Sequence, residues 1–562
     1  MHTYKTIDSI TVEIIGNLLL SIAEEMGAAL IRSSYSSNIK ERKDCSTAVF
    51  DAEGQLVAQA EHIPMHLGSM SDSIRSILRK YPREQIEDGD MFVANDPYNG
   101  GGSHLPDLVF AAPVFANGEL IMWVANIAHH SDIGGIVPGS TSGEVTTIFQ
   151  EGLRLPPVRV CRRGKVIRDV FDLIIANCRT PEQRTGDLNA QVAANLTGIR
   201  RVREAYQKYG EQLLEAANDL QDYAENALRA GIRKIRNGKY HFVEYVDDPP
   251  ETPKDGEITI DVEIDVFEDT MRLDFSRSSP QVNSNINITY NGLVTTVFYT
   301  LKALIGPKIP SNAGIFRVFE VVAKPGTIVS SVAPAPLGER MSSCQRVVEA
   351  ILGALYPAFP EAVPACSHDG GTSVNLSGQN PRTGELFIYP EGVAGGEGAF
   401  SYRDGMNAIQ VHMTNTSNQP IEALEAENPI IVESYSLIPD SGGAGKHRGG
   451  LGIERVFGVL TDSVMFTGHG GRMRIPAWGQ EGGKPGKVGG FYLRRKEGES
   501  IHLPSMCDHV VINRGDHLIV RTPGGGGFGD PRQRDSEALR RDIEDGRVTQ
   551  EAAEREYGYR PQ

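Results

Sequence analysis

Apolar residues recur at helical spacing over residues 10–31, where Ile14, Leu18, Ile22, Met26 and Ala29–Leu30 mark one face and Asp8 and Ser9 stand before it as start signals. Glu13, Asn17, Glu24 and Glu25 interrupt the segment, and neither a basic leader nor a small-residue cleavage site accompanies it. It therefore reads as a core-packing amphipathic helix, not as a signal or a membrane span. Apolar runs at 46–50 and 56–60 flank the polar, Gly-bearing 51–55 and predict a β-hairpin. A helix over 69–79 and strands over 91–94, 108–115 and 120–128 follow.

Leu213, Leu214, Ala217, Leu220, Ala224 and Leu228 continue the three- and four-residue spacing, so long helices are expected between 187 and 236. After a Pro-rich turn at 247–253 the period becomes two. Ile258, Ile260, Val262, Ile264 and Val266 alternate with polar residues, as a half-buried strand requires. The second half is rich in Gly and Pro, with short strands at 455–460, 464–467, 510–513 and 517–521 and few helices after about residue 357. The charged stretch 536–557 reads as two short helices around a turn and cap at 545–549.

The expectation is an α+β (mixed α/β), multidomain chain. A mixed α/β part over 1–186 would carry the site. It is followed by a helical segment at 187–238, an α/β segment with alternating strands at 239–356, a β-rich domain at 357–532 and a helical tail at 533–562. The length of 562 residues agrees, since one core rarely serves more than about 150 to 250 residues. With 40% hydrophobic and 23% charged residues the chain has the apolar content of a folded protein.

A net charge of −16 repels a phosphate backbone, and no basic run offsets it, so nucleic acid is not an expected partner. The six cysteines are far apart and form no CxxC pair. A reducing, cytoplasmic setting with no disulfide framework and no Cys-bound metal is expected.

Candidate chemistry lies in a repeated His-x-x-Asp spacing, His104-Leu105-Pro106-Asp107 and His129-His130-Ser131-Asp132, beside the glycines Gly100–Gly102 and Gly134–Gly135. An imidazole and a carboxylate three residues apart diverge on a straight strand but converge where the chain turns, and Pro106 favours a turn. Two such units could meet on one cation of the Zn, Mn or Fe type, leaving positions open for water or substrate. His62, His66 and His368 could line the same cleft, although a hydrogen-bonded structural role is the ordinary reading of each. The stretch 521–531 carries five glycines and looks like an anion-binding loop, but it lacks the Lys-Ser/Thr ending of a P-loop and is equally a close-packed turn.

These motifs occur together with Glu41-Arg42-Lys43-Asp44-Cys45-Ser46, Ile63-Pro64-Met65-His66-Leu67-Gly68, Asn95-Asp96-Pro97-Tyr98, Gln150-Glu151-Gly152 and Gly186-Asp187-Leu188-Asn189. In that order they resemble the hydantoinase B/oxoprolinase family over essentially the whole chain. The resemblance implies a metal-containing subunit of an ATP-dependent amidohydrolase that opens a cyclic amide such as a hydantoin, 5-oxoproline or a lactam. An ATP- and Mg-binding hydantoinase A type partner would phosphorylate the substrate, in a heterotetramer with two of each subunit.

The resemblance also implies metal ligands at His104, Asp107 and His129, with Asp44 as the fourth and Asp51 and Asp132 as alternatives for that place. The metal would be Zn or Mn, and His130 and Asp132 would orient water or shuttle its proton. A ketone carboxylase subunit of the acetone or acetophenone carboxylase type is the alternative reading.

Overall fold

The computed structural model describes residues 7–60, 62–247, 257–369 and 371–560; beyond Asp247, the Pro-rich turn expected at 247–253 lies outside them. Helix α1 (Ser9–Ser33) and the single turn α2 (Ser37–Lys40) lead into the hairpin β1 (Cys45–Asp51) and β2 (Leu56–Gln59). Next come α3 (His66–Lys80), β3 (Met91–Ala94), β4 (Asp107–Ala116), β5 (Glu119–His129), β6 (Val158–Arg162) and β7 (Lys165–Val166). The strands form one antiparallel sheet in the order β2-β1-β5-β4-β3-β6-β7. Helices α4 (Arg168–Ala176), α5 (Pro181–Tyr209) and α6 (Gln212–Ile232) complete this part.

One face of the sheet, with Val49, Val93, Phe110 and Val124, packs on α1 and α5, and the other, with Phe50, Phe92, Ala111 and Trp123, packs on Met70, Ile74 and Ile77 of α3. Both faces are dry. The central strands β4 and β5 therefore read as continuous apolar runs, where an antiparallel sheet with one wet face would alternate.

Asp8 caps α1 as expected, its carboxylate accepting the Thr11 amide at 3.0 Å. The buried stripe, however, is Ile15, Leu19, Ile22, Met26 and Leu30, while Ile14 is 50% exposed. Ile14–Ile15 and Leu18–Leu19 are apolar pairs, so the periodicity fits two adjacent faces and packing against α5 and α6 selects one. By length and composition α1 could cross a membrane, yet here this stripe is fully buried in the protein core.

The next layer holds β8 (Gly238–Val246), β9 (Ile258–Phe267), β10 (Thr270–Asp274), α7 (Tyr290–Ile305), β11 (Phe319–Val322) and α8 (Arg340–Leu355), with sheet order β11-β10-β9-β8. In β9 the five expected apolar residues are buried and their neighbours half-exposed. Helix α8 lies on β8 and β9, with α7 between it and α3. Its residues from Ser342 to Leu355 are all buried, and they include the polar Ser342, Ser343, Gln345, Arg346 and Glu349.

The remainder comprises β12 (Thr372–Gln379), β13 (Leu386–Val393), α9 (Ile421–Glu427), β14 (Ile430–Leu437), β15 (Ile453–Val459), β16 (Val464–His469), β17 (Gly490–Arg494), β18 (Ser500–Leu503), β19 (Met506–Ile512) and β20 (His517–Arg521). Two sheets, β13-β12-β16-β19 and β14-β15-β20-β17-β18, share a core of Leu376, Phe387, Phe457, Phe466, Phe491 and Leu518, which makes a sandwich. Helices α10 (Ser536–Glu544) and α11 (Gln550–Tyr557) follow, and the Thr549 hydroxyl caps the second as the sequence leads one to expect.

Beside the sandwich, glycine segments at 394–398, 441–452, 477–486 and 524–529 lie directly on one another. The amides of Gly524, Gly525, Gly526, Gly527, Phe528 and Gly529 donate to the carbonyls of Lys487, Gly450, Cys366, Lys484, His447 and Gln480 at 2.8–3.1 Å. All six are engaged, so the stretch offers no amide to a phosphate, and the close-packed reading of 521–531 holds in place of the anion loop. A side chain has no room. A Cβ on Gly525 would sit 2.1 Å from the Glu397 carbonyl oxygen, and one on Gly450 2.0 Å from that of Met406. Gly525→Ala is expected to lower stability by about 3 kcal/mol or more. Gly471→Ala, whose Cβ meets only side-chain atoms at 3.9 and 4.0 Å, should be near neutral; denaturant unfolding of the two variants compares them.

Candidate metal centre

Three adjacent strands end together. Asp107 opens β4, His129 closes β5, and the two are direct cross-strand partners. On the other side of β5, Cys45 pairs with Ala128 and the His129 amide donates to the Asp44 carbonyl at 3.0 Å. Register alone thus sets Asp44, His129 and Asp107 side by side at one end of the sheet.

His104 reaches the same point through a turn. The Asp107 amide bonds the His104 carbonyl at 3.2 Å, and the two side chains meet with Nε2 and Oδ1 3.2 Å apart. The loop before it lies flat because its glycines allow it: Gly101 has φ +81°, and a Cβ there would be 2.1 Å from the Ser73 nitrogen. Asn95 holds the turn from beneath, donating to the carbonyls of Leu105 at 2.7 Å and Leu153 at 2.9 Å.

His66, the first residue of α3, is the fifth member. Its Nε2 is 3.8 Å from Asp107 Oδ1 and 4.0 Å from Asp44 Oδ1, and His129 Nδ1 is 4.0 Å from Asp44 Oδ2. Ligands bound at about 2.0 to 2.2 Å around one ion are separated by roughly 3 to 4 Å, and these spacings agree.

The surrounding bonds fix which atoms face inward. His104 Nδ1 donates to the Gly338 carbonyl at 3.0 Å, so Nε2 carries the lone pair. Asp107 Oδ2 accepts from Ser103 Oγ at 2.7 Å and from Arg340 Nη2 at 2.8 Å. What remains, His104 Nε2 and Asp107 Oδ1, is buried with no hydrogen-bond partner among the described residues. Asn38 donates to the His129 carbonyl at 2.8 Å and accepts from Arg42 at 2.6 Å, which secures the His129 end of β5.

Burial pushes the His129 imidazole down to about 4, with Asp44 opposing, and lowers that of His66, with Asp107 and Asp44 opposing. Burial works against ionisation of Asp107, but positive charge at His104 Nε2 and on the Arg340 guanidinium outweighs it and holds the carboxyl well below its usual range. Neutral imidazoles and an ionised carboxylate are the forms that bind a cation. The donor set therefore fits a divalent transition metal.

The other candidates fall elsewhere. Asp51 receives the amides of Glu53 and Gln55 in the β1–β2 turn. Asp132 is held by Arg179, through its side chain and its amide at 2.8 Å, and by the Gly139 amide at 3.2 Å. His130 Nε2 bonds Gln191 at 2.9 Å in full burial. Successive residues of an extended chain point to opposite faces, so His130 turns away where His129 turns in. The second His-x-x-Asp unit contributes its histidine alone, and neither His130 nor Asp132 lines the cleft.

His62 lies over Gly27 of α1, and His368 is held between the Ile409 carbonyl and the Gly395 amide, so both have structural roles. All six cysteines are free, and burial raises every thiol. None is set up as a nucleophile. His66, Asn38, Ser103 and Arg340 are the site residues that spacing did not reveal. Of these only His66 carried a signal, the Ile63–Gly68 motif itself.

The centre lies at the floor of a cleft whose walls are loop 139–143, residues 338–341 at the start of α8, and the ends of β12, β13 and β16. A second set, Glu349, Asp369 and His412, also has ligand chemistry. There, however, Arg346 and Arg472 pair with Asp369 while His412 and the Ser367 amide occupy Glu349 Oε1, so the set reads as a buried ion network.

A model of the hydantoinase B/oxoprolinase family matches residues 8–531. The B-type subunit of a putative D-/L-hydantoinase from Pseudomonas sp. (strain NS671) is 34% identical over 99% of this chain and 96% of its own length. The crystal structure of the ATP-dependent caprolactamase from Pseudomonas jessenii superposes with a TM-score of 0.92 at 29% identity, over 99% of this chain and 97% of that one. Nucleotide-free acetone carboxylase shares the fold, with a TM-score of 0.92 at 21% identity over 98% and 79% of the two chains.

Elemental analysis of purified variants tests the ligand set. Asp44→Ala, Asp107→Ala, His104→Ala and His129→Ala should each weaken metal retention by about tenfold or more, whereas Asp51→Ala and Asp132→Ala should leave the metal content unchanged.

Proposed function

The chain belongs to the hydantoinase B/oxoprolinase family, and on that footing we propose that it is the metal-bearing subunit of an ATP-dependent enzyme that opens a cyclic amide. The observation that carries the reading is the buried pair of unpartnered acceptors, His104 Nε2 and Asp107 Oδ1, on the floor of the cleft. Asp44, His104, Asp107 and His129 would hold the ion, with His66 beside them. Zn or Mn suits these nitrogen and oxygen donors. Such an ion supplies Lewis acidity, which lowers the pKa of water and polarises a carbonyl oxygen.

An unstrained amide resists water because the nitrogen lone pair is delocalised into the carbonyl and the amine leaves poorly. Phosphorylation of the amide oxygen removes that protection. We assign this step to a hydantoinase A type partner with ATP and Mg, because this chain has no P-loop and its glycine stretch at 524–529 has every amide engaged. The named relatives include one subunit of a hydantoinase, which supports a two-subunit enzyme. A heterotetramer with two copies of each subunit is the proposed assembly, and the cytoplasm its proposed location.

Within this chain, the Gly338 carbonyl keeps His104 in the tautomer that presents Nε2. Ser103 and Arg340 hold Asp107 so that only Oδ1 faces inward. The walls of the cleft surround the activated carbonyl and keep bulk water from competing. Hydrolysis is favoured over ketone carboxylation because the hydantoinase and caprolactamase relatives match at higher identity, whereas the acetone carboxylase likeness is one of fold.

Co-expression with the partner, followed by assays on hydantoin, N-methylhydantoin, 5-oxoproline and caprolactam, tests the proposal. One of these rings should open only when both subunits and ATP are present. Ring opening by this chain without ATP, or a carboxylated product formed only with bicarbonate and a ketone, would refute it.

A further inference from the structure

Three consecutive residues tie the start of α8 to the centre, and two have duties already described: Gly338 orients His104 and Arg340 holds Asp107. Glu339 lies between them and lines the cleft. Its backbone is pinned, the amide donating to the Asn285 carbonyl at 2.9 Å and the carbonyl accepting the Ser342 amide at 3.1 Å. The residue is 8% exposed, and its Oε1 accepts from Ser373 Oγ of β12 at 2.8 Å. The carboxyl thus spans from the start of α8 to β12 of the sandwich wall, in the cleft that the candidate ligands also line.

The charged groups acting on it are Arg340 from its own segment and Asp508 of β19. Asp508 itself accepts from the Ser142 hydroxyl and the Glu144 amide. Burial pushes the Glu339 carboxyl up to about 7; Ser373 and Arg340 oppose the shift and Asp508 adds to it. A carboxyl that changes protonation near neutral pH, fixed in a cleft, is suited to proton transfer.

The ring opening proposed above requires a proton. Addition of water to the activated carbon gives a tetrahedral adduct bearing a hydroxyl group. When the C–N bond breaks, its electron pair goes to nitrogen, which leaves only as a protonated amine because the amide anion is too basic.

We propose that Glu339 is the general acid of this site, giving its carboxyl proton to the ring nitrogen as the C–N bond breaks. An oxygen lone pair of the adduct's hydroxyl re-forms the carbonyl as an acyl phosphate, the proton that hydroxyl releases returns to the Glu339 carboxylate, and a second water then cleaves the acyl phosphate to inorganic phosphate and the open-chain carboxylate. Each turnover therefore leaves Glu339 as it began. The inference rests on the hydrolase reading, and it adds a residue that lines the cleft without belonging to the candidate ligand set.

Glu339→Gln and Glu339→Asp, each in the complex with the partner and ATP, test it. Gln should lower kcat for ring opening by about 100-fold or more with KM and metal content unchanged, and Asp should retain part of the rate. The wild-type rate should decline above about pH 7 as the carboxyl ionises, and this alkaline limb should vanish from the residual rate of the Gln variant. A Gln variant within about threefold of wild type, or one that keeps the limb, overturns the proposal. Infrared difference spectra of the wild-type complex against the Gln complex give a readout that needs no substrate. A protonated-carboxyl band present near pH 6 and lost by about pH 8 supports the assignment, and its absence overturns it. A wild-type complex that opens none of the rings refutes the hydrolase reading itself, while the infrared band still tests the proton-bearing role of Glu339.

Discussion

Two buried acceptors face each other at 3.2 Å, His104 Nε2 and Asp107 Oδ1, and the rest of the site is organised around keeping them there. With neither a proton nor a cation between them, lone pairs this close repel, and leaving a buried polar atom unpaired costs about 1 to 3 kcal/mol. A protein could relieve the pair by turning either side chain. Here each is prevented from turning by a bond to its far atom, His104 by Gly338 and Asp107 by Ser103 and Arg340. The repulsion is thus maintained by the fold, and a positive charge between the two atoms is what relieves it.

The parts that enforce this come from distant stretches of chain. The seven-stranded sheet supplies Asp44, Asp107 and His129 through strand register, α3 supplies His66, and α8 supplies Arg340. The sandwich contributes none of the candidate ligands, and its β12, β13 and β16 form the facing wall. On the proposed reading, ion binding and substrate contact are separated between two bodies of structure, so the wall can differ among relatives while the floor stays the same. A fold that hosts both lactam opening and ketone carboxylation fits such a division.

Much of the N-terminal sheet was legible because its strands are long apolar runs. Among the positions the pattern left out are Asp107 at the start of β4 and His129 at the end of β5, since a polar residue at a strand end looks like loop. His66 and His62 could not be told apart by spacing, because only tertiary packing sets one against Asp107 and the other over Gly27. Asp132 was hidden for the opposite reason: its motif matches that of Asp107, but Arg179, far off in sequence, claims it. Helix α8 escaped notice because its buried face includes Ser, Gln, Arg and Glu whose partners lie in other segments. The family resemblance pointed to Asp44, whereas the register of β1 against β5 is the physical reason it lies there.

The interlocked glycine segments bear on how the chain is made. Each of the four depends on carbonyls of the others, Gly525 on Gly450, Gly450 on Glu397 and Gly527 on Lys484, so no three of them form a finished structure. The candidate ligands are all synthesised by residue 129, but the wall above them cannot settle until residue 529 has joined. A nascent chain therefore passes through a long interval in which the candidate ligands are made but uncovered, with Gly338 and Arg340, which fix two of them, and the wall of the cleft still to be added.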